Sequence, residues 1–413
     1  MSLQTALTGL TVAQMGIDTT SNNLANANTT AYKNQTALFE NIFPQEGASD
    51  IAPGIGAEVE GISTDLTQGS LNQTGDSLDA AIQGNGYFVV SSNGVQQYTR
   101  DGAFQLNSNG QIETLNGGSV QGYASVNGAL SSSLGPITIN TGSVAATPTS
   151  SVGITLNLNS SDVPIPAGTT FDPSNHSTYN ESTSVVTYDS AGNANHVDLY
   201  MVRNPLSTNS PSSWSVYAIP ETADGTQVGA TPTEPMATLS FTTSGTLASA
   251  SPTSPTLSGV NWGNGSAVSN IAFNFGGTTA VAQSFAVSQL TNNGNSSGTY
   301  AGVSISTDGS VMCSYTNGQT VSVGKIALAT FLNPGNLTPI TGNLYGANGN
   351  SGVAAVGQAG VGQAGTLAGG ELEASNVSTS DMLVSLIKYQ QAYQANTSVI
   401  QTEQQDSQRL LQI

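Results

Sequence analysis

The chain has 413 residues, of which only 8% are charged, against about 25% in an ordinary soluble domain. Lys plus Arg number 6 and Asp plus Glu 25, a formal net charge of −19, which argues against nucleic acid or an anionic membrane as a partner. The length allows two or three domains with a sizeable core, and the single cysteine, Cys313, excludes an internal disulfide.

The first residues carry no basic stretch and no contiguous apolar run, so they do not read as a secretory signal. No stretch reaches the roughly 18 apolar residues that a membrane span needs. Instead Leu3, Leu10, Ile17 and Leu24 fall seven apart, with Ala6, Ala13, Thr20 and Ala27 between them. That alternation is a heptad seam and predicts a helix of about 25 residues, roughly 37 Å long.

Downstream the pattern is β. Runs 87–90, 95–99, 104–106 and 111–114 are rich in aromatic or β-branched residues. Between them stand Asn93-Gly94, Asp101-Gly102 and Asn109-Gly110, dipeptides that favour left-handed hairpin turns. A second group occupies about 154–285 and holds SVVTYDSAGNANHVDLYMV and WSVYAI. A third, 304–331, has turn signals at Asp308-Gly309 and Asn317-Gly318. The regular turn spacing predicts antiparallel barrels or sandwiches. Glycine-rich 351–370 reads as an extended connector.

The chain closes on a second heptad pattern: Leu383, Leu386, Gln390, Tyr393, Thr397, Ile400, Gln404, Ser407 and Leu411. Ser378-Thr379-Ser380-Asp381 stands before it as a helix cap, and Gly and Pro are absent beyond, so a helix of some 30 residues is expected. Two striped helices at opposite ends of one chain point to partners that meet each other and copies in neighbouring subunits.

Residues that could carry chemistry do not form a constellation. Gly84-Asn85-Gly86 precedes a strand instead of opening a helix, which fails the phosphate-loop context. His176 and His196 have no second ligand at metal spacing, and Asp79, Asp101 and Asp308 sit singly in turns. No Ser or Thr stands in a nucleophile elbow with a histidine. Neither a cofactor nor a metal is expected, and Cys313 reads as a small buried residue.

IDTTSNNLANANTTAYKN (17–34) resembles the N-terminal signature of the flagellar rod and hook protein family, carried by Asn22, Asn23, Leu24, Ala25, Asn26, Thr29, Tyr32 and Lys33. GNGYFVV and YTRDGAFQLNSNGQI (84–112) are similar to the first β domain of hook and distal rod members. Segment 185–202 is similar to the outer domain of hook members, 316–334 to the returning half of the first domain, and 372–413 to the family's C-terminal helix. The matches cover about half the chain in the family's order.

The resemblance implies an α+β, mainly β fold with a coiled-coil-like terminal domain and two nested antiparallel β domains. Its parts would be a terminal helical assembly domain (1–30 and 375–413), an extended connector (31–70 and 361–374), a first β domain (71–145 and 291–360) and an outer β domain (146–290) inserted in the first. It implies a non-enzymatic subunit of the flagellar hook, a flexible homopolymeric tube outside the cell, exported by the flagellar type III route. A rod protein, a hook cap, a hook–filament junction protein and the export apparatus would be its partners. The alternatives are a distal rod or junction member and, more remotely, a β-rich adhesin. Candidate subunit-interface residues are Leu3, Leu7, Leu10, Ile17 and Leu24 with Leu383, Leu386, Tyr393, Ile400 and Leu411. Phe39 and Phe43 match an export signal. Gln391, Gln394, Gln401, Gln405 and Gln408 would face the central channel.

Overall fold

The computed structural model describes residues 2–42, 54–126, 128–206 and 212–410. It divides into two compact units, one of residues 1–140, 302–314 and 320–413, the other of Thr141–Ala301 with Tyr315–Gln319. Phe43 and Leu411 lie outside the described residues.

In the first unit, helix α1 (Ser2–Ala25) packs antiparallel on helix α2 (Thr379–Leu410). The buried seam of α1 is Ala6, Ala13, Gly16, Thr20 and Asn23, with Gly9 facing α2 between them. These are small side chains at alternating spacings of three and four. A Cβ on Gly9 would lie 2.8 Å from the Asn396 amide, and one on Gly16 2.5 Å from the Tyr389 ring. The helices therefore approach through the absence of side chain, so the large residues of the heptad pattern are not what joins them. Along α2, Met382, Leu386, Tyr389, Tyr393, Asn396, Ile400 and Glu403 are half-buried, whereas Gln390, Gln404 and Ser407 of the expected stripe are exposed. Ser378 Oγ accepts from the Asp381 backbone N–H at 3.4 Å, and Asp381 and Arg409 lie at the ends that suit the helix dipole.

Of residues 31–70, expected as an extended connector, the described ones instead include an antiparallel ribbon of β1 (Gln35–Ile42) and β2 (Gly56–Thr64). The ribbon runs from Gln35 opposite Thr64 to Ile42 opposite Gly56 and packs along α1. Short strands β3 (Leu71–Gln73) and β4 (Ala80–Gln83) follow, then a sheet of β5 (Tyr87–Ser92), β6 (Val95–Thr99), β7 (Phe104–Leu106), β8 (Ile112–Thr114) and β9 (Ser119–Val126). Asn93-Gly94 closes β5 and β6 with both residues at positive φ, as a two-residue hairpin turn requires. Gly110, at φ 74, serves the β7–β8 loop. Asp101-Gly102 differs. Gly102 has no positive φ, and a Cβ there would stand 1.7 Å from the Ala80 carbonyl oxygen, so this glycine permits a close crossing and makes no hairpin.

The strand Thr320–Thr330 ties this unit together, pairing with both β9 and β5. Its Ile326, Ala327, Leu328 and Ala329 are buried. Phe88 meets Phe104 edge-on at 5.0 Å and Tyr98 meets Phe331 at 4.8 Å. Each such large side chain contributes about 1.5–3 kcal/mol of burial. Cys313 is buried, and burial pushes its thiol up to about 11, so it packs as a small apolar group.

The glycine-rich stretch expected to be a connector is hydrogen-bonded into the β domain. Ala355–Gln358 pairs with Thr320–Thr330, Thr366–Gly369 with β4, and Glu371–Glu373 with β3. A Cβ on Gly365 would fall 2.2 Å from the Gln83 carbonyl oxygen. Here the glycines let backbones cross.

The second unit is a two-sheet sandwich. One sheet is an antiparallel meander of Glu181–Tyr188, Ala194–Arg203, Ser212–Glu221, Ala237–Phe241 and Leu247–Ser251. The other is centred on Ser151–Asn159, whose Val152, Ile154, Leu156 and Leu158 alternate inward against Leu199, Met201, Trp214 and Phe241. Two of its pairings, with Ser269–Asn274 and Thr279–Val281, are parallel. Parallel neighbours need a long crossover. The meander itself supplies it.

Candidate functional site

The residues of the N-terminal signature build the junction where both chain ends enter the β domain. The α1 helix ends in a chain of asparagine contacts: Asn26 Nδ2 donates to the Asn22 backbone oxygen at 3.0 Å and to its side-chain oxygen at 2.9 Å. Thr29 then donates to Asn26 Oδ1 at 3.0 Å. Ala31 takes a left-handed φ of 57 and its N–H donates to the Glu373 carbonyl oxygen at 2.7 Å.

Asn23 is buried and acts as a strand would. Its Nδ2 donates to the Gln35 carbonyl oxygen at 2.6 Å, and its Oδ1 accepts from the Gln35 N–H and the Tyr32 hydroxyl, each at 3.0 Å. Asn376, from the other end of the chain, repeats the device. Its Oδ1 accepts from the Asn34 N–H at 2.7 Å, and its Nδ2 donates to the Asp65 and Thr67 carbonyls. An asparagine amide offers one donor edge and one acceptor edge, which is what an unpaired stretch of backbone presents.

Beside these lies an ion cluster. Glu373 is buried; its Oε1 accepts from Lys33 Nζ at 2.6 Å and its Oε2 from Arg100 Nε at 2.9 Å. The Gly69 N–H donates to the same Oε1 at 3.0 Å. Lys33 also donates to the Thr67 carbonyl oxygen at 2.7 Å, and Arg100 to those of Gly84, Ile82 and Gly86. Burial pushes the Glu373 carboxyl up, but Arg100, Lys33 and the Gly69 N–H outweigh it and hold it below the usual value. Burial, with Arg100 nearby, holds Lys33 below the usual lysine value in spite of Glu373. One carboxylate thus serves two cations, and the four pieces of chain that meet here cannot separate without exposing a buried charge.

The candidate interface residues divide by burial. Leu3, Leu7 and Leu383 are exposed, at 49%, 56% and 49%, together with Val384 and Ile387. Leu10, Ile17, Leu24, Leu386, Tyr393 and Ile400 are half-buried. The glutamines at 391, 394, 401, 405 and 408 are all exposed. Phe39 packs edge-on to Tyr389 with ring centroids 6.4 Å apart. Arg100, Glu373 and Asn376 were not among the candidate residues, although each stands inside a segment of family resemblance. The available signal was scarcity, since a chain with 6 cations has few to place at random.

Comparison with known proteins fits this architecture part by part. Residues 3–33 match the family described as flagella basal body rod protein, and 81–164 the flagellar hook protein FlgE/F/G D1 domain. Residues 156–295 match the flagellar basal body protein FlaE D2 domain, and 368–413 the flagellar basal body rod FlgEFG protein C-terminal. The flagellar hook protein FlgE of Salmonella typhimurium is 35% identical over 98% of this chain and 98% of its own. That of Escherichia coli is likewise 35% identical with the same coverage. The crystal structure of Helicobacter pylori flagellar hook protein FlgE2 aligns with a TM-score of 0.52 at 15% identity, covering 68% of this chain and 94% of that one, which is a likeness of fold. With its terminal helices, their asparagine junction and its β units each matched in order, the chain belongs to the flagellar hook protein family.

Proposed function

We propose that the chain is the structural subunit of the bacterial flagellar hook, polymerising with itself into a flexible tube that links rod to filament and transmits torque. The observation that carries this reading is the exposed leucine set on the paired terminal helices. Leu3 and Leu7 lie toward one end of the α1–α2 pair and Leu383, Val384 and Ile387 toward the other, left uncovered within one subunit. Apolar side chains left bare at both ends of a helix pair suit a head-to-tail contact that repeats without closing, which generates a helical tube.

The role is structural, not catalytic, in keeping with the family. The exposed glutamines of α2 would form an uncharged wall toward the central channel. Export through the flagellar type III route with Phe39 and Phe43 as its signal, and contacts with rod protein, hook cap and junction protein, complete the reading. Electron microscopy of the purified protein under salting-out conditions tests it. Short curved tubes are expected, and permanently monomeric protein across the salt range contradicts it.

A further inference from the structure

We propose that the cleft beside Lys33 and Arg100 is a carboxylate-binding socket, filled in the polymer by an Asp or Glu side chain of a neighbouring copy. The cleft holds about 280 Å³ and is walled by Tyr87, Phe331, Leu332 and Pro334, with Asn85 and Gln363 offering polar edges.

Three observations carry the assignment. Two buried cations share a single buried carboxylate, so the cluster keeps a positive excess away from water. Such an excess is costly unless an anion reaches it. Each cation also keeps a donor in hand among the described residues. Lys33 Nζ uses two of its three hydrogens, on Thr67 and Glu373, and Arg100 Nη1 uses one of its two, on Gly86. Asp65 acts on Lys33 only from the exposed surface. Finally, Leu332 stands 84% exposed on the wall of an otherwise largely polar cleft, an apolar side chain that a protein surface would cover and a small hydrated ion would not.

The occupant follows from charge. The chain carries 25 carboxylates against 6 cations, so a second copy presents mainly the sign that this cleft lacks. Electrostatic complementarity of this kind fixes register between partners as much as it adds affinity. The socket rests on the reading of the chain as a self-polymerising subunit and adds to it one contact on the β surface.

The experiment fills the socket from within, in the full-length protein. Asn85→Asp and Gln363→Glu each place a carboxylate at the cleft in nearly the same shape, while Asn85→Ala does not. Either acidic variant is expected to raise the critical concentration for tube formation at least about tenfold, as loss of one charge-assisted hydrogen bond would, with Asn85→Ala close to wild type. Sodium acetate, compared with sodium chloride at equal ionic strength, is expected to raise the thermal midpoint of the wild-type monomer saturably by about 1–2 °C, and not that of the acidic variants. Wild-type tubes with unaltered polymerisation of both acidic variants would overturn the proposal. An acetate effect without any assembly defect would overturn its occupant and assign the socket to a free small acid. Failure of the wild type itself to polymerise would be a different result, removing the reading on which the socket rests.

Discussion

Lys33 and Glu373 lie 340 positions apart in the chain and meet in a 2.6 Å ion pair at the point where both terminal segments enter the β domain. Arg100 holds the other oxygen of the same carboxylate. Replacing Glu373 by Gln leaves two buried cations facing each other without a buried counter-charge, at a cost of about 3–5 kcal/mol. Urea unfolding should show a transition moved to clearly lower denaturant, with an unchanged slope.

The same carboxylate sets an acid limit. Its folded pKa lies below the ordinary 4.5, so its contribution is fully present above pH 4.5 and is lost as pH falls through the lower folded value. The thermal midpoint should therefore drop with acidification below pH 4.5 in the wild type. In Glu373→Gln this part of the slope should be missing, which paired melting curves from pH 3 to pH 6 would reveal.

Asn23 is the splice between α1 and the ribbon, and its substitution should detach one from the other. Asn23→Ala leaves the Gln35 N–H and carbonyl without the partners they have at 3.0 and 2.6 Å. Gln35 is half-buried, so each unpaired group costs toward the lower end of about 1–3 kcal/mol. Hydrogen exchange at Gln35 and along α1 should quicken by more than tenfold, while exchange in β5 and β6 stays unchanged.

Gly16 decides how closely the helices pair. Alanine there gains up to about 1 kcal/mol of helix propensity, but its Cβ would come within 2.5 Å of the Tyr389 ring. Overpacking of that kind costs about 1–3 kcal/mol, so the clash wins. Gly16→Ala should lower helical circular dichroism and the helix melting temperature. The double variant Gly16→Ala, Tyr389→Ala should recover part of the loss.

The elements whose signal is periodic were legible. Heptads located both helices, and Asn93-Gly94 placed a hairpin turn between the strands it joins. What periodicity could not separate was the two halves of the α1 stripe. Ala6, Ala13 and Thr20 turn to α2, whereas Leu3 is exposed and Leu10 and Ile17 only half-buried. A reading weighted by hydrophobicity follows the largest side chains, but close backbone approach selects the smallest. The glycine-rich 351–370 misled for a related reason, since glycine marks both flexible linkers and tight crossings. The ion cluster was hidden because its members come from segments that only the fold brings together. Asn23, Tyr32 and Lys33 were singled out by resemblance, and their hydrogen bonds supply the physical cause.

In the proposed hook, the uncovered leucines of the terminal helices would make the contact that repeats from subunit to subunit. Changing Leu3, Leu7, Leu383 and Ile387 together to Gln should leave the monomer's melting curve nearly unmoved, because these side chains are already 49%, 56%, 49% and 54% exposed. Sedimentation with electron microscopy, across a salting-out series that assembles the wild type, is the direct measurement. The variant should stay monomeric and folded where the wild type forms curved tubes. Tubes of normal form at the wild-type concentration would contradict it.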